Sequence, residues 1–448
     1  MRVHFIAIGG AAMHNLALAL HEKSYLVTGS DDAIFNPSKA RLENAGICPN
    51  TMGWFPEKMT NKLDAVIVGM HARADNPELL KAQDLGLTIY SYPEYLYEQS
   101  KNKKRIVIGG SHGKTTITSM ILHVLQNLHI ECDYMVGAQL AGFTTMVKLS
   151  DAPIIVLEGD EYLSSPIDLR PKFHLYKPHI ALLSGIAWDH INVFPTFENY
   201  LSQFQTFINK IEDNGYLTYC SADSELQKIA NVNSLISTES YCLPLHKIEN
   251  GKTFIQFEND FIPLEIFGEH NLLNMMGALN VCKQLNVSQI DFFNSMSSFK
   301  GASRRLENIH SRDGLQVYKD FAHSPSKVIA TVKAVKAQFE GFNVIAALEL
   351  HTFSSLNKSF LAEYKNSMNG VDTAIVYFDP EAIAHKKLDN LSEKVVLDCF
   401  NRKDLSVLTK REELCSIIKN NVSNNTIVLL MSSGNFGGLV LEDFAKSL

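Results

Sequence analysis

The sequence predicts an α/β protein with several domains built on mostly parallel sheets. Short apolar runs alternate along the chain with segments that have the spacing of amphipathic helices, which is the pattern of parallel sheets. Two of these apolar runs lead directly into glycine-rich turns. The chain has 448 residues, 46% of them hydrophobic, so it can form two or three domains with sizeable cores.

Composition and charge argue against several classes of protein. Lys and Arg number 41 against 48 Asp and Glu, and this net charge of −7 argues against a general nucleic-acid-binding protein. No apolar run reaches the roughly eighteen residues of a membrane span, and the opening residues predict a first strand and not a signal peptide. The seven cysteines are scattered and form no Cys-x-x-Cys pair. This pattern indicates reduced thiols in the cytoplasm, with no disulfide framework or zinc site.

Residues 1–100 are predicted to form a small α/β unit. A helix running to about His21 follows the first strand, and the polar run Ser100–Lys104 is typical of a linker. The strand candidates of this unit are Val3–Ile8, Tyr25–Gly29, Ala65–Gly69 and Leu87–Tyr90.

The turn after the first strand only partly matches a dinucleotide-binding fingerprint. Ala7 and Ala12 stand where that fingerprint has glycines, on either side of Gly9 and Gly10. Asp31 lies about twenty residues beyond the turn, where an acidic side chain can bind a ribose. Three interpretations remain open for this turn: it binds NAD, it binds the phosphates of another nucleotide, or it binds no ligand.

A second glycine-rich turn carries the strongest functional signal in the chain. The apolar run Ile106–Ile108 leads into Gly109–Gly113, Lys114 and Thr115 follow, and a helical pattern extends from Ile117. This order of strand, glycine loop and helix is the context of a phosphate-binding loop, in which backbone N–H groups and the helix N-terminus bind phosphate oxygens. The lysine then reaches the outer phosphates and the threonine hydroxyl contacts Mg²⁺. A glycine-rich turn without a nucleotide is the alternative.

Polar residues close two further strand candidates after this loop. Glu158–Glu161 ends the run Ile154–Glu158, and a carboxylate at that place suits Mg²⁺. His190 follows the run Ile180–Gly185 and is a candidate second metal ligand, although imidazole is an unusual ligand for Mg²⁺. Surface acids and a structural histidine are the alternatives.

The last third of the chain adds helices and strands with few distinctive residues. Helices are predicted from about Asn271 to Leu285 and over Val328–Phe339. The remaining strand candidates are Tyr216–Cys220, Thr253–Phe257, Ile262–Ile266, Leu315–Asp320, Asn343–Leu348, Ala374–Phe378 and Ile427–Met431.

Five polar residues in this part of the chain are candidates for nucleotide contacts. Asn271 and Asn274 share one face at the start of a helix, where their amides either read an adenine edge or cap the helix. The pair Arg304 and Arg305 suits phosphate recognition, and Asp320 suits ribose hydroxyls. Surface salt bridges are the alternative for each of these charged residues.

Taken in order, these motifs resemble the Mur ligases of bacterial cell-wall synthesis over nearly the whole chain. Each motif alone is modest, and the ordered set is specific. The motifs are His4–Gly10, Val27–Asp31, Gly110–Thr116, Glu158–Glu161, Asp189–His190, His270–Asn274, Arg304–Arg305 and Asp320–Pro325.

The resemblance implies three domains. These are a Rossmann-like domain for a UDP-sugar at residues 1–100, a central P-loop ATPase domain at 101–300, and a Rossmann-like C-terminal ligase domain at 301–448. The lactoyl carboxylate of UDP-N-acetylmuramate would attack the γ-phosphate of ATP, and an amine would then attack the resulting acyl phosphate. ATP and Mg²⁺ are the implied cofactors.

The resemblance also implies roles for individual residues. Catalysis is expected from Lys114, Glu158, His190 and Arg305, and metal binding from Thr115, Glu158 and His190. The UDP-sugar is expected at Gly9, Gly10, Ala11, Ala12, Ser30 and Asp31, with a further substrate contact at His351. The expected ATP contacts are Gly110, Ser111, His112, Gly113, Lys114, Thr115, Thr116, His270, Asn271, Asn274, Arg305 and Asp320.

Two amine substrates compete within the family. Asp168–Tyr176, Ile186–His190 and Met431–Gly438 resemble the ligase that adds the tripeptide L-alanyl-γ-D-glutamyl-meso-diaminopimelate, which we therefore expect. The alternative is the ligase that adds L-alanine, because Leu350–Ser354 resembles its third-domain loop. We expect no nucleic-acid or membrane partner, and a monomer or weak homo-oligomer. An NAD-dependent dehydrogenase and a nucleotide switch are the remote alternatives.

Overall fold

Residues 2–100 form a four-stranded parallel sheet with helices. The structure is a computed structural model that describes residues 1–140, 142–190, 193–386 and 388–448. The sheet order is β2-β1-β3-β4, and β3 is buried at every position, as expected for a strand with both faces covered. The elements are β1 (Arg2–Ile6), α1 (Ala11–Glu22), β2 (Leu26–Ser30), α2 (Ser38–Asn44), β3 (Ala65–Val68), α3 (Pro77–Asp84), β4 (Ile89–Ser91) and α4 (Tyr92–Ser100).

A seven-stranded sheet follows, with the phosphate-loop strand at its centre. Its order is β13-β12-β11-β5-β8-β6-β7, and only β6 and β7 pair antiparallel. A two-stranded ribbon, β9 with β10, lies between β8 and β11 in the chain. The elements are β5 (Lys104–Gly109), α5 (Lys114–Asn127), β6 (Asp133–Met135), β7 (Val147–Lys148), β8 (Ile154–Glu158), β9 (Leu163–Ser165), β10 (Asp168–Pro171), β11 (Ile180–Leu183), α6 (Phe197–Ile208), β12 (Tyr216–Cys220), α7 (Ser224–Ile229) and β13 (Ser237–Tyr241).

The chain continues through a three-stranded antiparallel sheet and a six-stranded mixed sheet. The latter has the order β17-β18-β22-β19-β20-β21, in which only β17 is antiparallel. The elements are β14 (His246–Glu249), β15 (Lys252–Phe257), β16 (Asp260–Leu264), α8 (Glu269–Lys283), α9 (Gln289–Met296), β17 (Glu307–Arg312), β18 (Leu315–Asp320), α10 (Pro325–Gln338), β19 (Asn343–Leu350), α11 (Lys358–Leu361), β20 (Thr373–Phe378), α12 (Pro380–His385), α13 (Glu393–Phe400), β21 (Ser406–Leu408), α14 (Arg411–Asn421), β22 (Thr426–Met431) and α15 (Leu441–Lys446).

The chain divides into two units, which are described separately below. The first unit comprises residues 1–242 and 276–295, and the second comprises 243–275 and 296–448. In the second unit, apolar clusters cover both faces of the six-stranded sheet, one with α10 and α13 and the other with α14 and α15. No helix in the described part of the chain is long and apolar enough to cross a membrane.

The predicted α/β class is confirmed, and the predicted strands occur with ends shifted by one or two residues. The expected linker Ser100–Lys104 is shorter and more ordered than its polar composition indicated. The helix before it ends at Ser100 and the next strand begins at Lys104. Lys103 is held by an ion pair to Asp133 at 2.8 Å, and its Nζ also donates to two backbone carbonyls. This ion pair between the partly buried Lys103 and the buried Asp133 fixes the connection, which the sequence pattern does not reveal.

Candidate functional site

The phosphate-loop candidate lies between the central strand β5 and helix α5. Gly110 has φ +121° and Gly113 has φ +78°, both conformations that favour glycine. A Cβ atom at Gly110 would lie 2.9 Å from the backbone nitrogen of Ser184. The loop therefore requires glycine there for two reasons, its φ angle and the close approach of the neighbouring strand end.

Lys114 is the first residue of α5 and turns back over this loop. Its Nζ donates to the carbonyl of Gly110 at 2.7 Å and to Oε2 of Glu161 at 2.7 Å. Burial by itself lowers the pKa of Lys114, but the facing carboxylates of Glu161 and Asp160 outweigh burial and raise it. Lys114 is therefore a permanent cation at the place where a phosphate would bind.

Thr115 and Glu158 form the second part of this site. The Thr115 hydroxyl donates to Oε1 of Glu158 at 2.9 Å, and the backbone N–H of Gly137 donates to Oε2 at 2.7 Å. Burial raises the pKa of Glu158, and the hydrogen bonds and Lys114 offset part of that effect. A hydroxyl and a carboxylate in contact are the hard oxygen donors that Mg²⁺ prefers, so these two residues fit the expected metal ion.

His190, the third predicted metal ligand, lies beside Glu161. Its Nε2 lies 3.7 Å from Oε1 of Glu161, and its backbone has φ +55°. Asp160 pairs with Lys172, and burial would raise the pKa of Asp160, but Lys172 and Lys114 lower it. Within the described residues, no group of three His, Cys, Asp or Glu side chains is placed to hold a metal ion. The metal role of His190 stays a prediction.

The remaining loop residues connect the phosphate loop to its neighbours. The Ser111 N–H donates to the carbonyl of Gly185 at 2.9 Å, and its Oγ is 2.7 Å from the hydroxyl of Tyr200. The ring of His112 bonds through Nδ1 to the Ser111 carbonyl at 2.7 Å. Thr116 is buried in the first turn of α5. Hydrogen bonds to Gly185 and to Tyr200 thus hold the loop in place.

The N-terminal turn brings several expected substrate residues together. The carboxylate of Asp31 accepts the N–H of Gly9 at 2.7 Å, which joins the ends of β1 and β2. Burial raises the pKa of Asp31, and the Gly9 N–H offsets part of this. Ala11 and Ala12 are exposed at the start of α1, after Gly10. Their backbone is therefore accessible to a ligand.

Ser30 lies next to this turn and is completely buried. Its Oγ accepts a hydrogen bond from Nζ of Lys58 at 3.0 Å, and its carbonyl accepts from the N–H groups of Ala7 and Ile8. Ala7, which stands in place of an expected glycine, adopts φ +69°. The glycine-like backbone of this turn is therefore kept although the glycine is not.

In the second unit, Asp320 organises the segment that carries Arg305. Its carboxylate accepts the N–H of Leu306 at 2.7 Å, the N–H of Ala322 at 2.8 Å and the hydroxyl of Thr331 at 3.2 Å. The guanidinium of Arg305 lies over the ring of Phe321, 4.6 Å from its centroid. Asp320 thus anchors the backbone beside Arg305. This residue, which was predicted to bind the ribose, therefore also has a structural role.

His270, Asn271 and Asn274 lie on the first turns of α8. Burial lowers the pKa of His270, and Asp320 opposes this effect. Asn271 donates its side-chain N–H to the carbonyl of Phe267 at 2.9 Å, which is a different contact from the helix cap that was the alternative to adenine binding. His270 also lines a mostly apolar cavity of about 320 Å³, between the start of α8 and α10.

His351 follows strand β19 and lies beside a buried carboxylate. Its Nδ1 is 3.8 Å from Oε1 of Glu349, which is only 2% exposed. Oε2 of Glu349 accepts the hydroxyl of Ser432 and the N–H of Phe436, the latter at 2.9 Å. Glu349 therefore holds the segment that follows β22 against the segment that carries His351.

Three polar residues at these sites were absent from the predicted list: Glu161, Tyr200 and Glu349. Glu161 belongs to the Glu158–Glu161 motif, and its distance from Lys114 depends on how the chain turns after β8. Tyr200 lies on an apolar helix face that predicts burial and nothing about its hydroxyl. Glu349 interrupts the apolar strand β19. An acid within such an apolar run was the one feature of the sequence that could have identified it as a site residue.

Comparisons with known proteins agree on one family. The chain matches models of three domains: "Mur ligase family, catalytic domain" at residues 2–104, "Mur ligase middle domain" at 108–282, and "Mur ligase, glutamate ligase domain" at 304–434. It is 30% identical to the UDP-N-acetylmuramate–L-alanine ligase of Clostridium kluyveri, covering 97% of this chain and 96% of the relative. The corresponding ligase of Caldicellulosiruptor bescii is 32% identical over 88% of this chain and 87% of its own.

Solved structures share the fold. A UDP-N-acetylmuramate-alanine ligase from Thermotoga maritima superposes with a TM-score of 0.73 at 20% identity, covering 100% of this chain and 99% of its own. A murein peptide ligase from Psychrobacter arcticus gives 0.66 at 22% identity, covering 100% and 98%. The expected three-domain architecture is thereby confirmed. The chain belongs to the Mur ligase family, whose members are ATP-dependent ligases that form amide bonds.

Proposed function

We propose that this chain joins the amino group of L-alanine to the lactoyl carboxylate of UDP-N-acetylmuramate, at the expense of ATP. The observation that carries this proposal is the buried group of Lys114, Thr115 and Glu158 at the end of β5, in a chain with alanine-adding relatives over 97% of its length. A dehydrogenase makes no use of this combination. A nucleotide switch shares it, so the alanine-adding relatives are what favour the ligase over a switch.

The first step needs charge neutralisation more than covalent help from the protein. The carboxylate oxygen attacks the γ-phosphorus, an O–P bond forms, and the bond between the γ-phosphorus and the bridging oxygen to ADP breaks. The backbone N–H groups of Gly110–Thr115 and the Lys114 ammonium would bind the phosphate oxygens. Thr115 and Glu158 would hold Mg²⁺, which neutralises phosphate charge when bound. His190 is proposed as a further ligand of this metal ion, and its Nε2 lies 3.7 Å from Oε1 of Glu161 in the same motif as Glu158.

The second step forms the amide. The neutral amine attacks the acyl-phosphate carbon, a C–N bond forms, and the C–O bond to phosphate breaks. The nitrogen loses one proton, which passes to the leaving phosphate or to water. The leaving phosphate therefore carries one oxygen from the original carboxylate. No protein nucleophile is required, because the substrate carboxylate is itself phosphorylated.

The UDP part of the acceptor would bind at the N-terminal turn. Gly9, Gly10, Ala11 and Ala12 offer backbone at the start of α1, and a helix N-terminus favours phosphate oxygens. The Asp31–Gly9 hydrogen bond supports this role because it fixes the turn just before the exposed Ala11 and Ala12. Ser30, the last residue of β2, supports it by holding Lys58 beside the same turn.

Further contacts to the nucleotide are proposed for residues later in the chain. His270, Asn271 and Asn274 are proposed for adenine, Asp320 for the ribose, and Arg305 for phosphate. The cavity beside His270 supports a role in ligand binding, whereas the hydrogen bond of Asn271 to Phe267 competes with one. His351 is proposed for the incoming amine, because Glu349 beside it supplies negative charge.

The tripeptide L-alanyl-γ-D-glutamyl-meso-diaminopimelate is the second candidate amine. Both candidates present the α-amino group of an L-alanyl residue to the same carboxylate, so the chemistry is shared. Full-length relatives support L-alanine and favour it over the tripeptide that the sequence motifs indicated. The motif Met431–Gly438, which Glu349 holds in place, resembles the tripeptide-adding ligases and is the feature that keeps the tripeptide as a candidate.

Phosphate release tests this proposal directly. Purified protein with ATP, Mg²⁺ and UDP-N-acetylmuramate would be supplied with L-alanine, the dipeptide or the tripeptide in separate reactions. The expected result is release that depends on both the UDP-sugar and L-alanine, with ¹⁸O from labelled carboxylate appearing in the phosphate. Release only with the tripeptide would select the second candidate, and release that ignores the UDP-sugar would refute both.

A further inference from the structure

Tyr200 is a completely buried tyrosine on helix α6 with a hydroxyl that an apolar core does not need. Its ring packs between Phe194 and Phe204, with centroid distances of 5.5 and 5.2 Å. Phenylalanine would fill this space equally well. Burying a hydroxyl without hydrogen-bond partners costs free energy. The partners of the Tyr200 hydroxyl therefore explain why this position has a tyrosine.

The Tyr200 hydroxyl links the phosphate loop to Glu161. It lies 2.7 Å from Oγ of Ser111 and donates to Oε1 of Glu161 at 3.0 Å. Ser111 Oγ in turn accepts the N–H of Ala187 at 2.9 Å. Because a carboxylate only accepts, the directions follow: Ala187 N–H to Ser111, Ser111 O–H to Tyr200, and Tyr200 O–H to Glu161. Burial and the facing Glu161 raise the pKa of Tyr200, so the hydroxyl keeps its proton and remains a donor.

Glu161 is also the partner of the phosphate-loop lysine. Its other oxygen, Oε2, pairs with Lys114 at 2.7 Å, and the carboxylate is only 1% exposed. A bound triphosphate would compete with Glu161 for this ammonium group. A buried carboxylate that shares its lysine partner needs another donor to remain stable. Tyr200 supplies one at the opposite oxygen, Oε1, which also lies 3.7 Å from Nε2 of His190.

We propose that Tyr200 is a positioning residue for ATP, which fixes Ser111 in the phosphate loop and holds Glu161 in place when Lys114 turns toward phosphate. The inference rests on the proposed ATP chemistry of this site. The hydroxyl of Tyr200 bonds to Ser111 and Glu161 of the ATP site. Its loss is therefore expected to weaken ATP binding and to leave UDP-sugar binding unchanged.

The test compares two buried tyrosines that differ in their hydroxyl partners. Tyr200→Phe removes the linking hydroxyl and keeps the ring. Tyr176→Phe is the matched control, because Tyr176 is equally buried and its hydroxyl has no hydrogen-bond partner among the described residues. Calorimetry would measure binding of a non-hydrolysable ATP analogue with Mg²⁺, and of UDP-N-acetylmuramate, to wild type and both variants.

Tyr200→Phe is expected to weaken binding of the ATP analogue about tenfold, the typical effect of one lost hydrogen bond to a charged group. KM for ATP should rise similarly, while UDP-N-acetylmuramate affinity stays at the wild-type value. Tyr176→Phe should bind both ligands as wild type does. Ser111→Ala breaks the same chain from the loop side and should give the same selective loss, so the inference stays testable if Tyr200→Phe folds poorly.

Two results would overturn the inference about Tyr200 and leave the proposed function intact. One is wild-type affinity of Tyr200→Phe for the ATP analogue, and the other is an equal loss for both ligands, which would indicate a general packing role. Wild-type protein that binds no ATP analogue would instead refute the proposed function, and the inference with it.

Discussion

Two turns of the first unit join a buried strand to a helix, and they are built differently. The phosphate loop has glycine at both positive-φ positions, Gly110 and Gly113, and ends in a buried lysine. The N-terminal turn has an alanine, Ala7, at φ +69°, and its helix begins with Ala11 and Ala12 where the phosphate loop has a lysine and a threonine. A shared strand–turn–helix shape therefore does not imply a shared ligand.

The two turns also differ in the contacts that hold their backbones in place. Glu161, Tyr200 and the Ser184–Ala187 segment hold the phosphate loop through side chains and a buried ion pair. The Asp31 carboxylate, the Ser30 carbonyl and the His14 ring hold the N-terminal turn through its backbone. The first arrangement suits a reacting triphosphate that needs a fixed cation, whereas the second suits a diphosphate that is bound and not broken.

Removal of the cation should have the largest effect. Lys114→Ala is expected to fold and to lose about 10²–10³-fold in ligase rate, as for other charge-stabilising groups at reacting centres. Its unfolding temperature should also fall, because Glu161 loses its buried partner. Lys228→Ala, which removes an exposed lysine paired with Glu225, is the control and should keep wild-type rate. Near-wild-type phosphate release by Lys114→Ala would contradict the account.

Adding one methyl group to each turn should separate their functions. Gly110→Ala is expected to weaken ATP binding about 100-fold, because its φ angle and the nearby Ser184 backbone both exclude a Cβ atom. Gly10→Ala places its Cβ no closer than 3.5 Å to other atoms, so folding and ATP binding should stay unchanged. Its KM for UDP-N-acetylmuramate should rise if the turn binds the diphosphate. Equal effects of the two variants on KM for ATP would erase the distinction.

The pH dependence of the rate should report Glu158. Burial raises the pKa of this carboxylate above its ordinary 4.5, and it must be ionised to bind Mg²⁺. At limiting Mg²⁺, activity should therefore fall as pH decreases through that raised pKa, with the acid limb above pH 4.5. Saturating Mg²⁺ should move this limb to lower pH, because a bound cation lowers the pKa of its carboxylate ligand. Rate profiles at saturating ATP and two Mg²⁺ concentrations would measure the limb, and Glu158→Gln should be slow across the whole range. A rate at limiting Mg²⁺ that stays constant down to pH 4.5 would be inconsistent with this role.

The smallest effect is expected at the strained alanine of the N-terminal turn. Ala7→Gly relieves a left-handed conformation that costs an alanine about 1 kcal/mol, and part of this gain is lost to unfolded-chain entropy. The free energy of unfolding should thus rise by less than about 1 kcal/mol in urea denaturation, with ATP affinity unchanged. Destabilisation would show that the methyl group contributes packing that outweighs the strain.

The sequence predicted best where periodicity and glycine act locally. The strands around the phosphate loop, the loop itself and helix α10 follow from short apolar patterns, and all occur as expected. Strands β6, β7, β9 and β21 are only two or three residues long, too short to show alternation. The pairing of Lys114 with Glu161, and of Glu161 with Tyr200, could not be predicted, because both contacts depend on tertiary packing. The same limit applies to Asp320, where a predicted ligand contact is occupied by backbone hydrogen bonds.

A crystal structure with a non-hydrolysable ATP analogue and Mg²⁺ tests the central claim most directly. The account predicts the β- and γ-phosphates against the backbone of Gly110–Thr115, with Nζ of Lys114 within hydrogen-bond distance of a γ-phosphate oxygen. Glu161 should keep its bond to Tyr200 in that structure. An analogue bound at another place, with Lys114 still paired to Glu161 and Gly110, would contradict the account.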